Sequence, residues 1–261
     1  MNVGFFGPPE AQRCYAHHVP SVLLARPRAV LICNPGPQEF RQAHFALRTL
    51  AERLAARGAH VLRFDYVGTG DSAGDPDIGS LDRWANDVSD AIDELRALAG
   101  VSRITVVGLR LGAAVACRAV ARGARAHELV LWDPVLCGGR YLAQLEARQE
   151  RIRLDLAYPI SDVFDPDTLL GLRMSVSQRA ELDALDLHRE PPGDVSRVTI
   201  FSTAPDDDVD ALCAAYQLDG ASTSVHVLQD ASLDGLRWHE DTLLARAIPA
   251  AIEAHVMGDG R

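Results

Sequence analysis

Apolar residues along this chain follow two rhythms. Ala29-Val-Leu-Ile-Cys33 is an unbroken apolar run that ends in Asn34-Pro35-Gly36-Pro37. A strand buried on both faces and opening into a loop reads this way. Residues 60–65, 104–108, 128–132, 198–203 and 225–228 repeat the pattern. Between these runs the spacing becomes helical. Residues 40–57 carry Phe45, Leu47, Leu50 and Leu54 and stop at Gly58; residues 81–98 follow Ser80 as an N-cap. A small-residue helix is expected over 113–122 and a terminal one over 240–256. Residues 3–6 and 13–19 flank Gly7-Pro8-Pro9 and read as two short edge strands. Strands alternating with helices imply an α/β fold with a mostly parallel sheet and right-handed crossovers. The stretch 138–195 breaks the rhythm: it is polar, rich in Arg and Asp, helical in spacing and without a strand signal. It is expected to be a helical lid over the carboxyl ends of the strands, inserted into a core made of 1–137 and 196–261.

The 261 residues suffice for one large α/β domain with a real core. The net charge is −10, and all 26 basic residues are arginine. An acidic chain without a basic run is a poor partner for nucleic acid or an anionic membrane. The absence of lysine excludes Schiff-base, pyridoxal-phosphate and P-loop lysine chemistry. Five scattered cysteines, odd in number and without C-x-x-C spacing, read as reduced thiols and not as a zinc site or disulfide framework. No cofactor or metal is expected. The start of the chain has no signal-like apolar core, and no run approaches the ~18 apolar residues of a membrane span. The expected compartment is the cytoplasm and the expected partner a small-molecule substrate, anionic or acylated.

The informative segment is Val106-Val107-Gly108-Leu109-Arg110-Leu111-Gly112-Ala113. A strand, a G-x-?-x-G turn and a small-residue helix make the frame of a nucleophile elbow. The middle position normally holds the nucleophile; here it holds Arg110, a guanidinium that is cationic at any workable pH. An acyl-enzyme on this residue is excluded.

These residues, with Cys33-Asn-Pro-Gly-Pro-Gln-Glu39, Arg63-Phe-Asp-Tyr-Val-Gly-Thr-Gly-Asp-Ser72, Leu131-Trp-Asp-Pro-Val135 and Gly139-Arg-Tyr-Leu142, resemble the α/β-hydrolase superfamily. More narrowly they are similar to a branch related to the serine aminopeptidase-like hydrolases. That branch includes hydrolases associated with exosortase systems and hydrolase-like proteins of polyketide and spirotetronate pathways. The resemblance spans about residues 25–255 and implies a mostly parallel sheet of about eight strands flanked by helices.

The resemblance also implies the remaining site. The superfamily histidine corresponds to His239. Its acid lies after the preceding strand, in the Asp206, Asp207 and Asp208 loop, or at the strand end after the elbow helix, at Asp133. An adjacent carboxylate would fix the tautomer of His239 and raise its basicity. The oxyanion hole would use the backbone N–H of Leu111 and a second donor near Asn34. Pro35 cannot donate, so Gly36 or the Asn34 side chain must substitute. Tyr66 is expected to reach the pocket; Trp132 and Tyr141 flank the expected cleft as further substrate-binding candidates, although packing is the favoured explanation for both. Asp65 and Ser72 read as loop-shaping residues; Cys33 and Cys137 fall near strand ends, where a thiol nucleophile is conceivable although neither lies on the elbow.

A cation at a helix N-terminus is disfavoured by ~0.3–1 kcal/mol, so Arg110 needs Asp65, Asp133 or an anionic ligand to offset it. The bland alternative is a buried pair that only replaces a lost active site. Two reactions avoid the covalent step. His239 could take a proton from carbon while Arg110 and backbone donors stabilise the anion, eliminating an acyloxy group such as acetate. It could instead activate water for direct hydrolysis of an ester or thioester. A third class is a non-catalytic protein that binds an anion through Arg110.

Overall fold

The computed structural model describes residues 1–22, 27–155, 167–233 and 242–258. Eight strands form one sheet: β1 (Asn2–Phe6), β2 (Arg13–His18), β3 (Arg28–Cys33), β4 (Ala59–Phe64), β5 (Ile104–Leu109), β6 (Glu128–Trp132), β9 (Arg197–Ser202) and β10 (Ser222–Val227). Their order across the sheet is β1-β2-β4-β3-β5-β6-β9-β10. β1 pairs antiparallel with β2 and β2 with β4, and every later pairing is parallel. The chain therefore has the expected α/β-hydrolase architecture, with strands and crossover helices where the apolar runs placed them.

One face of the sheet is covered by α2 (Leu81–Ala99) and α3 (Leu111–Ala121), which pack on Leu31, Leu62, Val106 and Leu131. The other is covered by α1 (Pro37–Ala56) and α7 (Ala247–Met257), which pack on Val30, Ile32, Val107 and Val130. Residues adjacent in a strand face opposite ways, so continuous apolar runs feed both layers. Ser80 caps α2 by accepting from the Arg83 N–H at 3.1 Å, as its place in the sequence implied.

The segment between β6 and β9 carries α4 (Gly138–Asp155) and α5 (Val176–Asp183). It also holds a hairpin, β7 (Thr168–Leu169) with β8 (Leu172–Arg173), that no apolar pattern announced. Two-residue strands are too short to show alternation. Its turn uses Leu170 at φ 54° and Gly171 at φ 80°, the left-handed pair of a tight hairpin, without the Asn-Gly that usually signals one. α6 (Asp207–Leu218) leads to β10, which starts three residues earlier than its apolar stretch because Ser222 and Ser224 belong to an exposed edge strand.

α7 differs most from its sequence pattern. The helix was expected from position 240, but the described residues 242–246 are not helical. The carboxylate of Asp230, in the loop after β10, accepts from the Arg246 N–H at 2.9 Å and from the Ile248 N–H at 2.8 Å. A remote acid thus satisfies the first donors of the helix and sets where it starts. No described helix is long and apolar enough to cross a membrane.

Candidate active site

β5 leads into α3 through one residue, Arg110, held at φ 53° and ψ −121°. A non-glycine residue there is strained by about 1–3 kcal/mol and needs its surroundings to hold it. They do so on both sides. The Arg110 N–H donates to the Trp132 carbonyl at 3.0 Å, and its own carbonyl accepts from Ala113 N–H at 3.0 Å and from Val135 N–H at 3.3 Å. The two flanking glycines allow the close approach. A Cβ on Gly108 would lie 2.5 Å from the Ala113 Cα, and one on Gly112 would lie 2.2 Å from the Asn34 carbonyl oxygen. Both obstacles are backbone, so neither yields cheaply. Gly112→Ala is expected to cost at least ~1–3 kcal/mol in denaturant unfolding; a variant as stable as the wild type would mean that α3 can slide away from the loop after β3.

Arg110 is 9% exposed, and its guanidinium does not stand alone. The Arg110 Nε lies 3.4 Å from Oε1 of Glu39, whose side chain is 1% exposed. The Tyr141 hydroxyl donates to Oε2 of Glu39 at 2.9 Å. The Tyr141 ring lies 5.5 Å from the guanidinium carbon, within cation–π range, and Arg110 Nη2 reaches Oε1 of Gln144 at 3.5 Å. Burial, with the Glu39 charge second, holds the Tyr141 phenol well above its ordinary pKa, so it stays a donor. The counter-charge supplied by Glu39 is a partner that the sequence pattern did not single out. A signal was present. The buried stripe of α1 runs through Glu39, Gln42, Ala43, Ala46, Leu47 and Leu50, so polar side chains occupy core positions of its first turns. Phe45, assigned to the apolar stripe from its spacing, is 57% exposed.

Beside the elbow lies a mostly apolar cavity of 380 Å³, lined by Asn34, Pro35, Tyr66, Trp84, Leu111 and Met174 among others. Leu111 opens α3, where the first backbone N–H groups have no intrahelical acceptor. Asn34 lines the cavity, but its amide N–H₂ donates to the Phe64 carbonyl at 2.7 Å and to Asp65 Oδ1 at 3.4 Å. It therefore holds the loop to β4; Gly36, the other residue expected to donate, is the N-cap of α1. Tyr66 is buried against Trp84 and donates to the Asn34 carbonyl at 3.2 Å. Asp65 and Ser72 shape the next loop: Asp71 N–H donates to Asp65 at 3.1 Å, and the Ser72 hydroxyl donates to the Asp65 carbonyl at 2.6 Å.

Trp132 is a correction. It does not line the cavity; it is buried with Val107, Phe201 and Ile248 in the layer under α1 and α7, because the last residue of a strand still follows the in-and-out alternation. Asp133 sits at φ 42°, and its Oδ1 accepts from the Thr203 N–H at 2.8 Å and the Thr203 hydroxyl at 3.1 Å. Of the rival acids, Asp206 caps α6, Asp208 pairs with Arg140 at 2.6 Å, and Asp207 is exposed on the first turn. His239 lies outside the described residues. Cys33 is fully buried, and burial pushes its thiol up to about 12, which removes it as a nucleophile.

The wall of the cavity is fixed by Asp87, which accepts from the Val67 N–H at 2.9 Å and pairs with buried Arg13 at 3.5 Å. Burial outweighs both and pushes its carboxyl up to about 6. Being protonated more readily folded than unfolded, Asp87 favours the native state at low pH and loses that contribution as pH rises through 6. Relative to Asp87→Asn, the wild type should gain melting temperature as pH falls from about 6 to about 4. A pH-independent gap between the two proteins would contradict this.

A second, polar groove of 600 Å³ lies at the opposite ends of the strands, between Arg28, Arg103, His127 and Arg197. It is larger but remote from the elbow. Its arginines have partners: Arg28 donates to the Val256 carbonyl at 2.6 Å, Arg103 meets His127 at 2.7 Å, and Arg197 lies 3.9 Å from Glu128. Among the described residues no cluster of His, Cys, Asp and Glu is suited to a metal ion.

Comparison with known proteins bears on the fold and the family. The model of the serine aminopeptidase S33 family matches residues 25–187. Among solved structures, Est1E from Butyrivibrio proteoclasticus with bound ferulic acid superposes with a TM-score of 0.66 at 16% identity, over 98% of this chain and 97% of that one. An esterase from Pyrococcus furiosus gives 0.67 at 15% identity, over 99% and 89%. A proline iminopeptidase from Mycobacterium smegmatis gives 0.61 at 15%, over 99% and 97%. At these identities the likeness establishes the fold. No curated protein sequence matches the chain.

Proposed function

The chain belongs to the serine aminopeptidase S33 family of α/β hydrolases, and from that premise we propose that it is an acid/base enzyme acting, without an acyl-enzyme, on an acylated small molecule of a biosynthetic pathway in the cytoplasm. The reaction we assign is elimination of an acyloxy group such as acetate. The observation that carries the proposal is Arg110 at the apex of an otherwise complete elbow. The strained turn, its two close-approach glycines and the helix N-terminus are all kept, while the residue itself cannot attack a carbonyl.

In this reading His239, oriented by Asp133 or Asp207, takes a proton from the carbon next to a carbonyl. The C–H electron pair becomes the new C=C bond. The C–O bond to the acyloxy group breaks, and acetate leaves with both of its own oxygens. In this reading the backbone N–H groups of Leu111 and Gly36 and the Arg110 cation stabilise the negative charge that develops. Tyr66 and Asn34 keep the donor loop in place, and Tyr141 keeps Arg110 in place. The apolar cavity takes the carbon skeleton.

Family membership favours one other reading: direct attack by a water that His239 activates. A β-acetoxy ketone supplied in ¹⁸O-water separates the two. Elimination gives the enone and unlabelled acetate. Solvent oxygen in the acetate, with the alcohol as co-product, overturns elimination in favour of hydrolysis. Turnover of neither kind removes both in favour of a pseudo-hydrolase that only binds.

A further inference from the structure

We infer that the polar groove at the amino-terminal ends of the strands is a second binding site, which takes a phosphate-bearing small molecule of two or more negative charges. The inference does not depend on the chemistry of the elbow.

The groove follows from the strand pattern. Arg28 opens β3, Arg197 opens β9, and Arg103 stands directly before β5. Register brings them together. Ala29 pairs with Ile104, which sets Arg28 beside Arg103; Thr105 pairs with Glu128, and Leu129 with Val198, which sets Glu128 beside Arg197. Side chains two or four places apart in a strand share a face, so these residues continue the face of Val30, Val107 and Val130, which α7 covers. At the strand starts that face turns from apolar to polar, and α7 reaches it only through His255, Val256 and the following Gly258. A groove of 600 Å³ results.

Its charge runs against that of the chain. The protein carries a net charge of −10, yet here three guanidiniums face Glu128, the one carboxylate among the described lining residues. Glu128 is already engaged: it lies 2.7 Å from His255 Nε2, accepts from the Thr199 hydroxyl at 3.2 Å and sits 3.9 Å from Arg197. Arg28 and Arg103 meet a backbone carbonyl and His127, which leave their charges uncompensated. Burial, and then the Arg103 charge, hold the His127 imidazole below its ordinary pKa, so it adds no cation at neutral pH. Like charges side by side on neighbouring strands repel, and an anion between them relieves the repulsion. Arginine forks match phosphate oxygens, and the Thr105, Ser222 and Ser224 hydroxyls add donors along the floor. Arg103 and Arg197 start on strands separated by β6, about 10 Å apart at the backbone. One carboxylate serves a single fork, whereas two phosphate charges serve both. The volume lies in the range of small-molecule sites, so an organic group fits beside the phosphates.

The test is calorimetric titration of the full chain with inorganic diphosphate, adenosine diphosphate and acetate at neutral pH and constant ionic strength. A diphosphate should bind at least tenfold more tightly than acetate. Arg103→Gln and Arg197→Gln should each weaken it about tenfold or more, the loss of one charge-assisted contact. Arg151→Gln, at an exposed position of α4, should not. Arg28 is spared because it also closes α7 through the Val256 carbonyl. Binding of both diphosphates identifies an organic phosphate as the ligand; binding of the inorganic ion alone identifies the free ion, and either upholds the site. A second readout needs no variant: bound diphosphate should raise the pKa of His127 in an NMR titration of the wild type. No binding of either diphosphate, an unmoved His127, or an affinity unchanged in R103Q/R197Q would each overturn the inference.

Discussion

Arg110→Met is expected to lower the unfolding free energy by about 3–5 kcal/mol, because it leaves Glu39 as an uncompensated charge in the interior. Methionine fills much of the same space and inherits the same strained backbone at φ 53°, so the loss reports the missing charge more than packing. For a chain of this size each kcal/mol moves the melting temperature by about 2–4 °C, so the fall should be roughly 6–20 °C. The double variant E39Q/R110M should recover most of it. Replacing both members of a buried pair is often neutral, whereas removing one is not. Urea unfolding of the four proteins of this cycle gives the coupling directly. A single variant within about 1 kcal/mol of wild type would mean that Glu39 finds another cation or takes up a proton at little cost. The result also bears on how such an elbow is kept: the arginine at its apex would be a residue the fold needs.

His239→Ala should lower turnover of a β-acyloxy carbonyl substrate by about 10²–10⁴-fold, the usual contribution of a positioned general base. Partial restoration by imidazole in the buffer would separate loss of the base from loss of structure. Full turnover in the alanine variant would remove His239 from the mechanism, and with it the assignment of Asp133 or Asp207 as its orienting acid. Both elimination and water-mediated hydrolysis need this base, so the experiment tests the shared part of the two readings.

The legible features of this protein are local ones. A continuous apolar run such as Val30-Leu-Ile-Cys33 has few fates other than a strand buried on both faces, and it became one. Gly108 and Gly112 flank a turn that only small residues permit, so the elbow was readable together with the identity of its apex. The Ser80 cap and the loop roles of Asp65 and Ser72 were readable for the same reason: each partner lies a few residues away. What the tertiary structure alone decided are partnerships between distant elements. Arg110 lies beside the carboxylate of Glu39, a residue whose helical position alone would have made it core. The start of α7 was set by Asp230 from another loop, and Trp132 was assigned to the layer behind the sheet. A strand or a tight turn is favoured by the residues that form it. A buried ion pair or a remote cap exists only where packing brings its two halves together, and neither half carries a local mark of the other.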